Sequence, residues 1–461
     1  MSENVVSSLE AGRPALLAAA HRVAARASGL VVLIGPLLAL GLGALLLGRR
    51  PLTVDEADAV AAATGRFGNV VEHTLEHDPA RAGYVALLQP VVQLDDGERW
   101  LRAPSVVAAG VAALLVYFVG RALAGRLAGV AASVALATAG PVVSVSQQGR
   151  PYALAMAAVV LSTALFVLAL RRGHPALWGV YAAGSALLPL THPAASAAVL
   201  AHALSLAVAV PRPPLRLALP ALGFVALENA LLLAAFALDR NEAPAAALTL
   251  VGIGEGLART AGWNPVLAGL AVWGVAALVL RRVHGGTPWS GALLAGLALF
   301  PLLGVLLASL AVPVFPATAL VIGAPGVALA AGAGIAALPV PWWRFAAGAA
   351  AGITAAAGVA AWYAGAPAQD WQDAARFVSA AAERGETVVV VPERARAAFG
   401  YYAPQQGLSL RARGDGAWVV VGSAAADPRR AARAVVETPR YALLEQRRFG
   451  EALVAQHWVR P

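Results

Sequence analysis

A helix needs ~20 apolar residues to cross a ~30 Å hydrocarbon core, and this chain supplies such runs one after another. With soft edges they cover 29–48, 104–123, 127–145, 152–170, 176–191, 193–210, 217–238, 264–280, 289–311, 317–338 and 344–363. The length criterion gives about eleven spans. The runs 176–191 and 193–210 are short and read as tilted, re-entrant or a tight hairpin. The chain is 59% hydrophobic and 13% charged, whereas soluble domains are about 25% charged. The expected fold is a polytopic α-helical membrane protein.

Charge orients the runs. With the N-terminus in the cytoplasm, Arg13, Arg22 and Arg26 precede the first run, which reads as a retained span rather than a cleaved signal. The inner loops then carry Arg121 and Arg126, Arg171 and Arg172, Arg212 and Arg216, Arg281 and Arg282, and Arg344. That is the positive-inside pattern. Arg49 and Arg50, at the outer end of the first run, break it. Acidic residues fall mostly in outer segments, among them Asp55, Glu56, Asp95, Asp96, Glu98, Asp239 and Glu242. The reading is a multi-pass plasma-membrane protein whose odd number of spans puts the C-terminal tail outside.

Residues 1–365 form the membrane part, with an outer loop at 49–103. In that loop Val60, Phe67 and Val71 recur at helical spacing, which predicts an amphipathic helix lying on the outer surface. Tyr84–Leu94 is apolar but too short to span, and is expected at the interface. In residues 366–461 charged residues return. Glu386–Pro392 and Ala417–Gly422 read as strands, and Gln369–Arg384 and Pro428–Glu437 as helices. A small extracytoplasmic α/β domain is expected there.

Several chemistries are excluded. No cysteine is present, so disulfides, cysteine-bound zinc and thiol catalysis are absent. The net charge of +9 does not indicate nucleic acid. Every basic residue is an arginine, and these are scattered in ones and twos at the ends of apolar runs, as topology requires.

Two charged clusters remain, on the same expected side. Thr53-Val54-Asp55-Glu56 matches the capping box, in which Thr53 and Glu56 satisfy the start of a helix. Neighbouring helical residues do not share a face, so one carboxylate should reach a substrate, and Asp55 is the one the box leaves unexplained. Gln147-Gln148-Gly149-Arg150-Pro151-Tyr152 opens the fourth run. Pro at a helix start and Tyr at an interface are ordinary. Arg150 near the hydrocarbon edge needs water or an anion: a lipid phosphate, or no ligand at all if the side chain merely snorkels. His192, in the turn Thr191-His192-Pro193, lies on the same side and is a candidate contact for phosphate or sugar. His73-Thr74-Leu75-Glu76-His77 spells the inverted zinc-protease motif, with both histidines on one helical face.

Taken in order, these clusters resemble the GT-C class of polytopic glycosyltransferases. The branch they are most similar to holds protein O-mannosyltransferases, the aminoarabinose transferases of lipid A and many actinobacterial homologues. The resemblance runs through Asp55-Glu56, His77-Asp78-Pro79, Leu101-Arg102-Ala103-Pro104-Ser105, the Gln147–Tyr152 cluster, Thr191-His192, Asp370–Ala375 and Tyr401-Tyr402. It implies inverting transfer of a sugar from a polyprenyl-phosphate carrier to an acceptor hydroxyl on the outer face. Asp55, with Glu56 beside it, would be the catalytic acidic residue. Arg150, Tyr152 and His192 would hold the donor phosphate, and His77, Arg102 and Gln148 would contact substrate. Two positions depart from the pattern. Gln148 stands where relatives often have Glu, which leaves a divalent cation (Mg or Mn) an open requirement. Val314-Phe315-Pro316-Ala317-Thr318 stands where they often have Arg-Tyr. Two rival readings follow from the residues: a non-catalytic carrier-binding protein or flippase, and a membrane zinc protease using His73, Glu76 and His77.

Overall fold

A computed structural model describes residues 29–77, 82–209, 215–238, 249–283, 286–311, 317–383, 386–412, 415–422, 428–436 and 441–460. Arg13, Arg22, Arg26, Asp78, Pro79, Arg212, Asp239, Glu242 and the turn residues Val314-Phe315-Pro316 lie outside them. Six helices among the described residues are long and apolar enough to span a membrane: Glu98–Ala124, Tyr152–Arg172, Arg216–Ala234, Pro288–Leu306, Thr318–Ala337 and Pro341–Ala364. Two bent pairs raise this to as many as eight.

The difference from about eleven runs lies in how apolar runs break. Run 127–145 becomes Arg126–Thr138 and Gly140–Ser146, bent by 62°; the break falls just ahead of Pro141, which suits the start of a helix and not its interior. Run 264–280 pairs with Leu250–Thr260 across a 76° bend, where Gly262 and Trp263 both have positive φ. Run 176–191 divides into Pro175–Ser185 and Leu187–Thr191. In run 29–48 a 3-10 turn at Val31–Leu33 interrupts the α-helix, which resumes over Ile34–Ala44 and ends there.

Small residues set the packing of the bundle. A Cβ on Gly274 would lie 1.8 Å from the carbonyl oxygen of Ala330, and one on Gly334 would lie 2.1 Å from that of Leu270. Helices Pro265–Val279 and Ala324–Ala337 therefore meet backbone to backbone, as close-packed membrane helices do. Thr318–Ala337 is the central span, with 94% of its apolar window buried, whereas the Ala-rich helix Pro341–Ala364 has 6%.

The loop 49–103 holds three helices, Val54–Ala63, Phe67–His77 and Ala82–Leu94. Gly65, at φ +131°, breaks the chain between the first two. Val60 and Phe67 thus do not share one amphipathic helix; Val60 is buried and Phe67 exposed. Ala82–Leu94 does not simply lie at the interface: Tyr84, Val85 and Leu88 are buried in the protein.

The C-terminal tail carries a five-stranded sheet, β1 (Thr387–Val391), β2 (Leu408–Ser409), β3 (Gly416–Gly422), β4 (Ala442–Arg448) and β5 (Leu453–Val459), in the order β2-β1-β3-β5-β4. β1 pairs parallel with β2 and β3, and β5 antiparallel with β3 and β4. Helices Trp371–Ala381 and Pro428–Arg433 fall within the expected segments. β4 and β5 were not expected: β4 is a solvent-exposed edge rich in polar residues, and β5 interrupts its apolar residues with Gln456 and His457. One hydrophobic core joins Leu52, Val60, Leu88 and Leu101 of the loop to Trp371, Phe399, Trp418 and Leu453 of the tail. Tyr402 accepts a bond from the Leu52 amide at 2.7 Å and donates to Glu98.

Candidate functional site

The first cluster folds as its sequence dictates. Thr53 caps helix Val54–Ala63; its Oγ1 accepts from the Glu56 amide at 3.3 Å, and Glu56 Oε2 accepts from the Thr53 amide at 2.8 Å. This fixes Glu56 facing inward, so Asp55, one residue earlier on the helix, faces outward.

Glu56 is a buried structural hub. Its Oε1 accepts from Arg102 Nε at 2.9 Å and from the Gly149 amide at 2.7 Å, and its Oε2 also accepts from Arg102 Nη2 at 3.2 Å. Both side chains are 2% exposed. Arg102 uses its remaining donors on the carbonyls of Leu47 (2.9 Å), Arg50 (2.8 Å) and Pro51 (3.2 Å). A guanidinium has five N–H donors, and all are taken. This corrects two expectations. Glu56 is not positioned as a catalytic acid, and Arg102 has no donor left for substrate. Together they pin the segment after the first run to the second cluster.

Gly149 sits against this hub, and a Cβ there would make only ordinary contacts at 3.5 Å with Glu56 and the Leu101 carbonyl. The preceding Gln147 is a second anchor. Its Nε2 reaches the carbonyls of Gly43 (3.2 Å) and Leu45 (2.6 Å) and the Tyr363 hydroxyl (3.1 Å), while its Oε1 accepts from Trp362 Nε1 at 2.8 Å. Gln148 Nε2 donates to Ser144 Oγ at 3.2 Å, four residues back in the helix that ends just before it.

Arg49 and Arg50, which broke the charge pattern, cap the last membrane helix. Arg49 donates to the Tyr363 carbonyl at 3.4 Å and Arg50 to the Gly365 carbonyl at 2.9 Å, with the Arg50 guanidinium 3.8 Å over the Trp362 ring. A helix C-terminus has unsatisfied carbonyls and a negative dipole end, so these arginines have a local reason to sit where the charge pattern does not expect them.

Held on this frame, Asp55 and Arg150 form an ion pair. Asp55 is 45% and Arg150 24% exposed, so the pair is open on one side. The Arg150 backbone is fixed by Ser105 Oγ, which donates to its carbonyl at 3.2 Å. Its guanidinium lies 5.5 Å from the Tyr152 ring centroid. The His192 ring is 5.4 Å from Tyr152, and its Nδ1 accepts from the Ala194 amide at 3.1 Å. Burial and the nearby Arg150 charge push the His192 pKa down to about 4. The imidazole is therefore neutral, with Nε2 as its donor. It offers a hydrogen bond to an anion, not a charge. The structure thus brings together Asp55, Arg150, Tyr152 and His192.

A divalent cation needs several converging oxygens. Asp55 is held by Arg150, Glu56 is filled by four donors, and Gln148 is bonded locally. Among the described residues no three His, Asp or Glu side chains group closely enough to hold a metal. The donor set does not fit a resident divalent ion. His73 and Glu76 lie on helix Phe67–His77, and the side chain of His77 lies outside the described residues.

No family model matches the sequence, and no curated protein matches it. Solved structures do match the fold. ArnT from Cupriavidus metallidurans in the apo state superposes with a TM-score of 0.60, covering 94% of this chain and 98% of that one at 12% identity. The apo oligosaccharyltransferase of Archaeoglobus fulgidus gives 0.54, covering 82% of this chain and 64% of that one at 13% identity. Archaeal AglB from Archaeoglobus fulgidus, in complex with an inhibitory peptide and a dolichol-phosphate, gives 0.50 over 86% and 69% at 12% identity. The chain spans less than two thirds of the apo archaeal protein. At these identities the likeness is one of fold. The protein is a membrane protein with the fold of GT-C glycosyltransferases.

Proposed function

We propose that this protein is an inverting glycosyltransferase that moves a sugar from a polyprenyl-phosphate donor to an acceptor hydroxyl on the extracytoplasmic face. The observation that carries the reading is the half-open Asp55–Arg150 pair, beside a neutral His192, on an otherwise saturated frame. The fold it shares with ArnT and AglB, the latter solved with a dolichol-phosphate, supports the same chemistry.

In the resting arrangement base and phosphate ligand neutralise each other. A donor phosphate offers the Arg150 guanidinium two charge-assisted bonds, a stronger partner than one carboxylate oxygen. Its arrival releases Asp55, which then takes the proton of the acceptor hydroxyl. The acceptor oxygen bonds to the anomeric carbon from the face opposite the phosphate. The bond from that carbon to the phosphate oxygen breaks with its electron pair, and polyprenyl phosphate leaves as an anion held by Arg150 and the His192 Nε2–H. The leaving group needs charge stabilisation rather than a proton, and the site supplies it. The orientation belongs to the same reading: N-terminus in the cytoplasm, tail outside.

Gln148, turned toward Ser144, favours a second reading of a carrier-binding protein or flippase without catalysis. Purified protein in detergent, given a radiolabelled lipid-linked sugar and candidate acceptors, separates the two, since a flippase forms no product. Asp55→Asn should lower turnover by about 10²–10⁴-fold, the range for loss of a general base, while thermal stability is kept. Arg150→Ala should weaken donor binding. Unchanged turnover in both variants would overturn the assigned roles.

A further inference from the structure

We propose that Tyr402 of the C-terminal tail is a positioning residue for Asp55, so that the tail takes part in the site without touching substrate. The inference rests on the reading of Asp55 as the base. Tyr401 and Tyr402 end helix Arg396–Tyr402, which packs against Val54–Ala63, the helix that carries Asp55. The Tyr402 hydroxyl accepts from the Leu52 amide at 2.7 Å and donates to the Glu98 carboxylate. Leu52 is fully buried and lies three residues before Asp55.

The backbone that leads into Asp55 is held group by group. Arg102 donates to the carbonyls of Leu47, Arg50 and Pro51. Pro51 has no amide hydrogen to place. Glu56 takes the Thr53 amide, and Tyr402 takes the Leu52 amide. Arg102 and Glu56 come from the loop 49–103 itself, whereas Tyr402 reaches in from 350 residues further along the chain. An anchor at Glu56 alone would leave the helix free to pivot about that point, with Asp55 on the opposite face. A second anchor at Leu52 removes the pivot.

The chemistry suits the task. A phenol accepts and donates at once, here from the Leu52 amide and to Glu98. Burial, then the bond to Glu98, raises the Tyr402 pKa above its ordinary value, so the hydroxyl keeps its proton wherever a carboxylate base works. Phenylalanine would keep the ring and supply neither bond. Tyr401 provides the contrast. Its ring stands edge-on to Tyr402, 4.9 Å between centroids at 85°, but its hydroxyl donates to the Asp96 carbonyl at 2.7 Å and not to the backbone ahead of Asp55. Arg150 has supports of its own, Ser105 on its carbonyl and Glu56 on the neighbouring Gly149 amide. Loss of the Tyr402 hydroxyl should therefore disturb proton removal and leave the phosphate ligand in place.

The test compares full-length wild type, Tyr402→Phe and Tyr401→Phe in detergent. Readouts are hydrogen exchange over residues 51–58 and turnover of the radiolabelled polyprenyl-phosphate-linked sugar that wild type transfers. In Tyr402→Phe, exchange at Leu52 should quicken roughly 5–10-fold, the factor one hydrogen bond is worth. Its kcat should fall roughly 10–10²-fold, as for a displacement of about 1 Å, with KM for the donor unchanged. Tyr401→Phe should match wild type in both readouts. Unchanged exchange in Tyr402→Phe would overturn the proposal. Faster exchange with wild-type kcat, or an equal loss of kcat in both variants, would reduce Tyr402 to a stabilising contact and overturn its positioning role. If wild type transfers no sugar, or Asp55→Asn matches it, the functional reading fails instead, and exchange alone decides whether the tail holds this segment. Should Tyr402→Phe not fold, wild type decides: a Leu52 amide that exchanges as fast as those of exposed residues in the same loop would overturn the proposal.

Discussion

Arg102→Ala distinguishes a frame residue from a substrate ligand. Arg102 was expected at the substrate, but the structure gives it five bonds, all to the protein. Truncation leaves the Glu56 carboxylate, 2% exposed, without a counter-charge, and takes donors from the Leu47, Arg50 and Pro51 carbonyls. Breaking a buried pair from one side costs about 3–5 kcal/mol. For a chain of 461 residues, an unfolding entropy of about 2.1 cal/mol/K per residue converts this to a fall in Tm of roughly 3–5 °C. Tryptophan fluorescence in detergent reads it directly, because Trp371 and Trp418 are buried in the core shared by loop and tail. Replacing both partners, Glu56→Gln with Arg102→Met, should recover part of the loss, since no lone charge is then buried. Arg102→Lys should recover less than its charge suggests, as three donors replace five. An Arg102→Ala protein with unchanged Tm but weakened donor affinity would refute the reasoning and return Arg102 to the substrate.

Gly274→Ala should sharply reduce folded protein on size exclusion, because its methyl would meet the Ala330 carbonyl at 1.8 Å and overpacking costs about 1–3 kcal/mol or more. Gly348→Ala, with nothing within 4 Å, should be silent, and equal behaviour of the two would count against the packing described. The tail's docking should be alkali-sensitive. Burial, then the negative Glu98 and Asp96, push the Tyr401 pKa up to about 12, against about 10 when unfolded. The phenol holds its proton longer when folded, so its contribution is complete below about pH 10 and drains away as pH rises to about 12. Tyr401→Phe should flatten that part of a Tm-against-pH curve; coincident curves for variant and wild type would show that the half-buried phenol does not matter.

Sequence alone determined the class of fold. Apolar runs of spanning length with arginines at their ends admit few structures besides a helical membrane bundle, because hydrocarbon leaves no partner for an unpaired backbone group. It also determined the capping box at Thr53 and Glu56, since that motif is closed within four residues. The break ahead of Pro141 also has a local cause, since proline suits the first turn of a helix and not its interior. What only tertiary structure decided is which charges are free. Glu56 and Arg102 look like site residues in one dimension, and their saturation by Gly149, Leu47, Arg50 and Pro51 depends on contacts distant in sequence. The same holds for Arg49 and Arg50, whose misfit to the charge rule was visible, while the helix end they cap lies more than three hundred residues away. Local pattern fixes which residues can bond; only the meeting of distant segments fixes which bonds are already spent, and so leaves Asp55 and Arg150 open toward solvent.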